Sequence, residues 1–316
     1  MKFRLTALTI LILAANFLNG QIKNYEENEK KITEIISQMT IEEKVGQMTQ
    51  IALQHFSIEG KDRIQTEPVH VDIEKLRELI LKYKVGSLLN TGQAANSLVS
   101  WHEIITTIQD VATKESRLKI PILYGIDAIH GATYTLGSTL FPQNFTMAAS
   151  RNRDLVKKSA EITSLEMRAS GIPWNFNPVL GLAREPYWPR FWETFGEDSY
   201  LTTELTKEYV EGTQGEDLSK PTSGAACLKH YIGYSIPNNG LDRTPAFIPE
   251  RTLRDILLPQ FAAGVKSGAL TVMANSSEIN GIPVHSDKYL LTTVLKDELQ
   301  FKGFVVSDWM DVERLH

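Results

Sequence analysis

One cysteine, Cys227, stands in 316 residues. An internal disulfide is excluded, and so is a zinc or iron–sulfur site built from several thiolates. Basic blocks are missing too. Lys and Arg number 33 against 38 Asp and Glu, a net charge of −5, so nucleic acid would find no clustered positive face. The histidines at 55, 70, 102, 130, 230, 285 and 316 form no HExxH or HxH pair, and no metal site is expected. A GxSxG nucleophile elbow is absent. No Gly-rich phosphate turn follows the first strand, and no cofactor is expected.

Long hydrophobic runs are lacking as well. Leu5 to Leu18 is apolar, but a membrane span needs ~20 such residues. Lys2 and Arg4 precede this stretch, small Gly20 follows it, and then comes the polar run QIKNYEENEK. Positive start, short apolar middle and small residue are the marks of a secretory signal. Residues 1–20 are read as a cleaved signal peptide, which implies a secreted or periplasmic product. An uncleaved anchor is the alternative. No cysteine sits near the cut to make a lipoprotein.

What is present is a 42% hydrophobic chain, enough to bury a large core. The pattern alternates. Apolar runs at 85–90 (VGSLLN), 120–127 (IPILYGID), 173–179 (PWNFNPV), 224–233 (GAACLKHYIG), 270–276 (LTVMANS) and 303–309 (GFVVSDW) read as strands, and QMTQIAL near residue 50 is a seventh candidate. Between them lie helical patterns. One begins after Thr40, with Glu43 three residues on as a capping box. Another, NRDLVKKSAEITSLEMRASG, is closed by Gly171, and SYLTTELTKEYVEGTQG has Gly212 near its end. ERTLRDILLPQFAAGVKSG reads as a helix with an internal Pro259. Strand and helix in alternation mean a parallel sheet with crossover helices.

Loop lengths decide between the parallel folds. The segments 131–149, 181–199 and 231–249 are long, and each follows a strand. Connections from helix back to strand are short. That asymmetry belongs to a (β/α)8 TIM-type barrel, whose site is built from the loops after the strands. About seven of the eight strands are present, so residues 21–316 are expected to form an incomplete barrel, cut before its last strand.

Polar residues cluster where strands stop. Asp127 ends LYGID, Lys229 and His230 end AACLKH, and Asp308 ends FVVSD. Arg190 and Glu193 lie in the loop REPYWPRFWETFGED. Two strand-end carboxylates, two cations and a histidine would meet at one barrel mouth. Singly, each could serve a structural salt bridge. Together they suit a polar, neutral ligand with many hydroxyls, and Trp174, Trp188, Trp192 and Trp309 could stack on its apolar face. A carbohydrate fits.

The stretches YGIDAIHG, REPYWPRFWETFGED, CLKHYIGY, VMANSSEINGIP and KGFVVSDW, in this order, resemble the N-terminal barrel of glycoside hydrolase family 3, the β-glucosidase and exo-β-glucanase family. The likeness runs from about residue 40 to the end. It implies a retaining exo-acting β-glucosidase acting on a β-glucoside or β-glucan oligosaccharide. It implies Asp308 as nucleophile, with Asp127, Arg190, Lys229 and His230 binding substrate, and Trp309, next to the nucleophile, is expected to bind it too. It implies an acid/base residue in a further C-terminal domain of the same protein. Two departures stand out. WPR replaces the commoner WGR, placing Pro189 before Arg190, and the segment at Ser276 lacks the usual aromatic. The loop KHYIGYSIPNNGLDRT keeps Asp242 but none of the histidines of the family's β-N-acetylglucosaminidases, which favours a glucosidase or glucanase. A sugar-binding barrel without turnover is the rival reading.

Overall fold

The computed structural model describes residues 25–58, 67–91 and 94–315. The expected signal peptide lies outside the described residues.

Seven parallel strands form one sheet in chain order: β1 (Gln50–Ala52), β2 (Ser87–Leu89), β3 (Leu123–Ile126), β4 (Trp174–Asn175), β5 (Ala225–Tyr231), β6 (Thr271–Ala274) and β9 (Phe304–Val306). The hairpin strands β7 (Glu278–Ile279) and β8 (Ile282–Pro283) interrupt the numbering and stand apart. Every expected strand is found. Sequential parallel neighbours joined through helices are the (β/α)8 pattern, here incomplete.

The sheet curls, and its interior shows this. Trp174 on β4 donates from Nε1 to Thr271 Oγ1 on β6 at 2.9 Å, and its ring lies 5.4 Å from Phe304 on β9. A flat sheet could not bring β4 and β9 into contact. Trp174, Phe176, Cys227 and Met273 fill this interior, with Leu89, Leu123 and Val306 beside them. Trp174 was expected near a sugar. Its indole instead belongs to the barrel core, because the period of two turns it inward with Phe176. Gly125 makes room for that layer, since a Cβ there would lie 2.4 Å from Phe176 Cζ. Trp174→Ala is expected to destabilise the barrel by roughly 3–5 kcal/mol, as large aromatic deletions do. Chemical denaturation checks this, and a loss under ~1 kcal/mol would mean the interior is not packed on Trp174.

The other strand face meets the helices. Leu88, Tyr124 and Ile126 join one buried layer with Trp101, Ile104 and Ile108, while Ala226, Leu228, Val272 and Ala274 join a second. Helix α1 covers Tyr25–Gln38 and α2 Ile41–Gln47, with the expected break at Thr40. Thr40 Oγ1 accepts from Glu43 N at 3.3 Å and Glu43 Oε2 accepts from Thr40 N at 2.9 Å, completing the capping box. Helices α3 (Ile73–Arg77) and α4 (Leu98–Asp110) follow β1 and β2. After β3 the long connection ends in a short helix, α5 (Asn144–Ala149), which the turn-rich composition hid. Helix α6 (Arg153–Ala169) stops near Gly171, which holds the left-handed φ of 82° that closes such ends. Helix α7 (Ser199–Gln214) ends at Gly215, with φ 62°. Gly212, expected to mark that end, instead lets α6 approach, since a Cβ there would lie 2.5 Å from Lys157 O.

The expected helix through Pro259 is two pieces. Helix α8 (Glu250–Thr252) runs into a wide turn, Leu253–Leu257, and α9 (Pro259–Lys266) restarts with proline in its first turn. Proline lacks the N–H that an uninterrupted helix needs there.

Candidate active site

Alternation along the strands places the chemistry. On β5, Ala225 and Cys227 face the interior, while Ala226 and Leu228 face the helices. Lys229 continues the inward row. Strict alternation would then turn His230 outward. The β5–β6 register shifts between Leu228 and Tyr231, so Tyr231 joins the outer layer and both Lys229 and His230 reach the mouth. Re-aiming a side chain is what such irregularities do. Asp127 extends the row of Leu123 and Gly125, and Asp308 extends that of Phe304 and Val306.

Lys229 and His230 are each 2% exposed. Lys229 Nζ lies 2.6 Å from Asp127 Oδ1. Asn90 Nδ2 donates to Asp127 Oδ2 at 2.9 Å, and Asn90 Oδ1 accepts from Asp127 N at 3.2 Å. Asn90 just after β2 thus orients Asp127 just after β3.

Asp308 is held on both oxygens. The Trp309 N–H donates to Oδ1 at 2.6 Å, and Arg243 NH2 lies 3.4 Å from the same atom. Ser276 Oγ donates to Oδ2 at 2.8 Å, and His230 Nε2 lies 3.5 Å from it. Burial alone would push this carboxyl up. The field of His230, the Trp309 N–H, Arg243 and the Ser276 hydroxyl outweigh burial and hold it below the usual carboxylate range. His230 moves the other way. Burial, and then the charge of Arg190, push the imidazole well below its ordinary value despite Asp308, so the ring is neutral. With His230 neutral, the lasting support for the Asp308 charge comes from the Trp309 amide, Arg243 and Ser276.

Arg190 lies beside His230. Its NH2 is 3.3 Å from His230 Nε2, and its Nε and NH2 donate to the two oxygens of Glu193 at 2.8 Å each. That fork fixes the guanidinium plane. The Pro189 substitution therefore leaves Arg190 at the mouth. Glu193 is its clamp.

The residues expected at strand ends come together, Asp127 with Lys229 and Asp308 with His230, and Arg190 of the loop after β4 lies beside His230. Trp309 is half exposed at the rim and engages Asp308 through its backbone. Trp192 is exposed, whereas Trp188 is buried and donates to Asp242 Oδ1 at 3.0 Å. Glu278 contributes a backbone carbonyl to Ala246 N in the hairpin strand. Arg243, Ser276 as a ligand of Asp308, and Asn90 were not singled out by sequence. Cys227 is buried, with its thiol pushed up to about 12 by that burial, and takes no part. A groove of about 720 Å³ between α6 and α7, lined by Ile162, Leu165 and Lys220 among others, holds none of these groups.

An incomplete (β/α)8 barrel with an ionised, hydrogen-bonded carboxylate at its strand ends defines the class: a barrel with a carboxylate-centred site. Residues 40–316 match the Glycosyl hydrolase family 3 N terminal domain, and the chain belongs to that family. It is 42% identical over 301 residues to the lysosomal beta glucosidase of Dictyostelium discoideum, covering 90% of this chain and 35% of that protein. Among solved structures it is similar to the exo-1,3/1,4-beta-glucanase of a Pseudoalteromonas species, with TM-score 0.80, 33% identity, and 93% and 36% of the two chains covered. It is also similar to the beta-glucosidase of Listeria innocua in complex with isofagomine, with TM-score 0.75, 31% identity, and 90% and 37% covered. The chain thus spans little more than a third of the length of these relatives.

Proposed function

We propose that the whole protein is a retaining, exo-acting β-glucosidase that removes terminal β-D-glucosyl residues from β-glucosides or β-glucan oligosaccharides. The observation that carries this reading is the Asp308 carboxylate, ionised and tied on both oxygens at the barrel mouth. An ionised carboxylate in a fixed orientation is what attack on an anomeric carbon needs. Asp127, Lys229, His230 and Arg190 surround the place where the sugar hydroxyls would sit, and hydrogen bonds there can strengthen as the ring approaches an oxocarbenium ion. Trp309 offers an apolar face at the rim.

In the first step an Asp308 oxygen bonds to C1 while the C1–O bond to the aglycone breaks. A second carboxyl, ~5–5.5 Å from the first, protonates the departing oxygen and later deprotonates the attacking water. That acid/base is proposed to lie outside these residues, in a further domain. Relatives of which this chain's match covers only 35% and 36% support this. Export through cleavage near Gly20 is part of the same proposal. No helix among the described residues is long and apolar enough to cross a membrane.

The test is covalent trapping. A 2-deoxy-2-fluoro-β-glucoside with a good leaving group is expected to label the full-length protein on Asp308, located by peptide mass spectrometry. Label on another carboxylate would sink the assignment. Proton NMR of the first-formed sugar should show β-glucose, and α-glucose would exclude retention.

A further inference from the structure

The loop after β5 carries Asp242 and Arg243 side by side, and the two side chains grip different parts of the site. Asp242 Oδ1 accepts from Tyr234 Oη at 2.7 Å and from Trp188 Nε1 at 3.0 Å. Trp188 and Tyr234 pack edge to face at 5.4 Å, and the Arg190 guanidinium lies 5.6 Å from the Tyr234 ring. Asp242 therefore ties this loop to the loop after β4, which carries Arg190.

Arg243 reaches the other way. Its NH1 donates to Asp311 Oδ1 at 2.6 Å and to the Trp309 carbonyl at 3.2 Å, while NH2 stands 3.4 Å from Asp308 Oδ1. One guanidinium thus spans the turn that leaves β9, touching groups of Asp308, Trp309 and Asp311. Asp311 is an anchor rather than a surface acid, being only 2% exposed. Its other oxygen faces His285 Nε2 at 3.8 Å, and neither atom has a hydrogen-bond partner among the described residues. Asp308 itself cannot turn freely while Ser276 holds Oδ2 and the Trp309 amide holds Oδ1. The amide, however, is only as fixed as the turn to which it belongs. Arg243 fixes that turn at its carbonyl and at its buried acid.

We propose that Arg243 is a positioning residue for the nucleophile, clamping the Asp308–Asp311 turn so that the Asp308 carboxylate is presented to the anomeric carbon, with Asp242 bracing the clamp against the Arg190 loop. This inference rests on the reading of Asp308 as nucleophile. Arg243 acts through Asp308 and its turn, so it should matter more to the bond-making step than to substrate capture. The planar fork suits the task. A lysine ammonium is a point charge and cannot reproduce two directed prongs.

The experiment uses the full-length protein as wild type, Arg243→Ala and Arg243→Lys. The readouts are the rate of labelling by 2,4-dinitrophenyl 2-deoxy-2-fluoro-β-glucoside, the labelled residue, and kcat and KM for an aryl β-glucoside. Because the leaving group needs no acid, labelling isolates the attack by the nucleophile. The alanine variant should label Asp308 on the order of 10²-fold more slowly, the effect of a misplaced reacting group. Its kcat should fall in parallel, with KM changed less than about 3-fold, the pattern of an interaction made in the transition state. Free guanidinium should recover part of the alanine variant's rate and leave wild type unchanged. The lysine variant should recover less than half of the lost factor.

Labelling of Asp308 at the wild-type rate in the alanine variant would overturn the inference. A slowed rate that guanidinium leaves untouched, accompanied by a lowered melting temperature, would also overturn it, since a structural role predicts that pair. Should the alanine variant not fold, the lysine variant decides, and its labelling at the wild-type rate overturns the clamp. Wild type labelled elsewhere sinks the nucleophile assignment, a separate outcome read on a separate protein.

Discussion

Full-length protein carrying Asp308→Ala is expected to hydrolyse an aryl β-glucoside on the order of 10⁴-fold more slowly or worse, while keeping a cooperative thermal melt. Losing a nucleophile removes a whole reaction path, and such deletions reach this size in other covalent enzymes. The fold should survive, because Asp308 lies beyond the last residue of β9 and its bonds are to groups at the mouth, Ser276, Trp309 and Arg243. What it leaves is a small space ringed by donors: the Ser276 hydroxyl, the Trp309 amide and Arg243. Those donors suit a small anion. Azide or formate should restore turnover of a dinitrophenyl glucoside, and azide should give the α-glucosyl azide, because it attacks from the face that the carboxylate occupied. An alanine variant within tenfold of wild type would remove Asp308 from the chemistry.

The pH behaviour follows from the same contacts. Burial raises the Asp308 carboxyl, but the surrounding donors and charges lower it more, so it stays ionised well below neutrality. A folded-state value below the unfolded one means stability that is present above about pH 3.9 and is lost as pH falls toward the folded value. Asp308→Asn lacks that contribution. The stability gap between wild type and the asparagine variant should therefore narrow as pH drops below ~4, measured by thermal melts. A gap that widens in acid would reverse the sign and contradict the held carboxylate.

Asp127, Lys229 and Asp308 were legible in sequence for one reason. Each ends an apolar run, and in a parallel barrel every such run delivers its last residue to the same rim. His230 was legible by adjacency and yet should have pointed away, since the period of two opposes neighbours. The register shift within β5 reconciles this, and nothing in AACLKHY announces it. Arg243 was not legible. It sits in a loop rich in Asn, Gly and Pro, without periodicity, and meets Asp311 across 68 residues of chain. The segment at Ser276 was noticed for the aromatic it lacks rather than for the hydrogen bond that Ser276 makes. Trp174 was grouped with the binding tryptophans because its strand is short and flanked by proline. Its partner Thr271 lies two strands away in the sheet, and only the curl of the barrel brings them together.

Asp127→Ala should harm both stability and activity, and the way the two losses couple is the sharper test. Lys229 is buried, and its ammonium finds Asp127 at 2.6 Å. Removing the carboxylate strands that charge. Breaking a buried pair costs about 3–5 kcal/mol, and the low end applies here because the Asp127 side chain is 29% exposed and water can reach the gap. Turnover should fall further than stability alone explains. If Asp127 accepts two hydroxyl hydrogen bonds from the terminal sugar, each worth about 1.5–3 kcal/mol to a charged acceptor, kcat/KM should drop by on the order of 10³-fold. Asp127→Asn keeps the volume and loses the charge, so it should fall between. Lys229→Ala leaves Asp127 with Asn90 and open solvent, a milder loss of stability. Once Lys229 is gone, Asp127→Ala strands no charge. The double variant should therefore be more stable than the sum of the two single losses predicts, by more than ~1 kcal/mol, which is the sign of a directly coupled pair. Additivity within about 0.5 kcal/mol in denaturant melts would mean the contact carries no coupling energy. The near-zero exposure of Lys229 would then have to be balanced by some group other than Asp127.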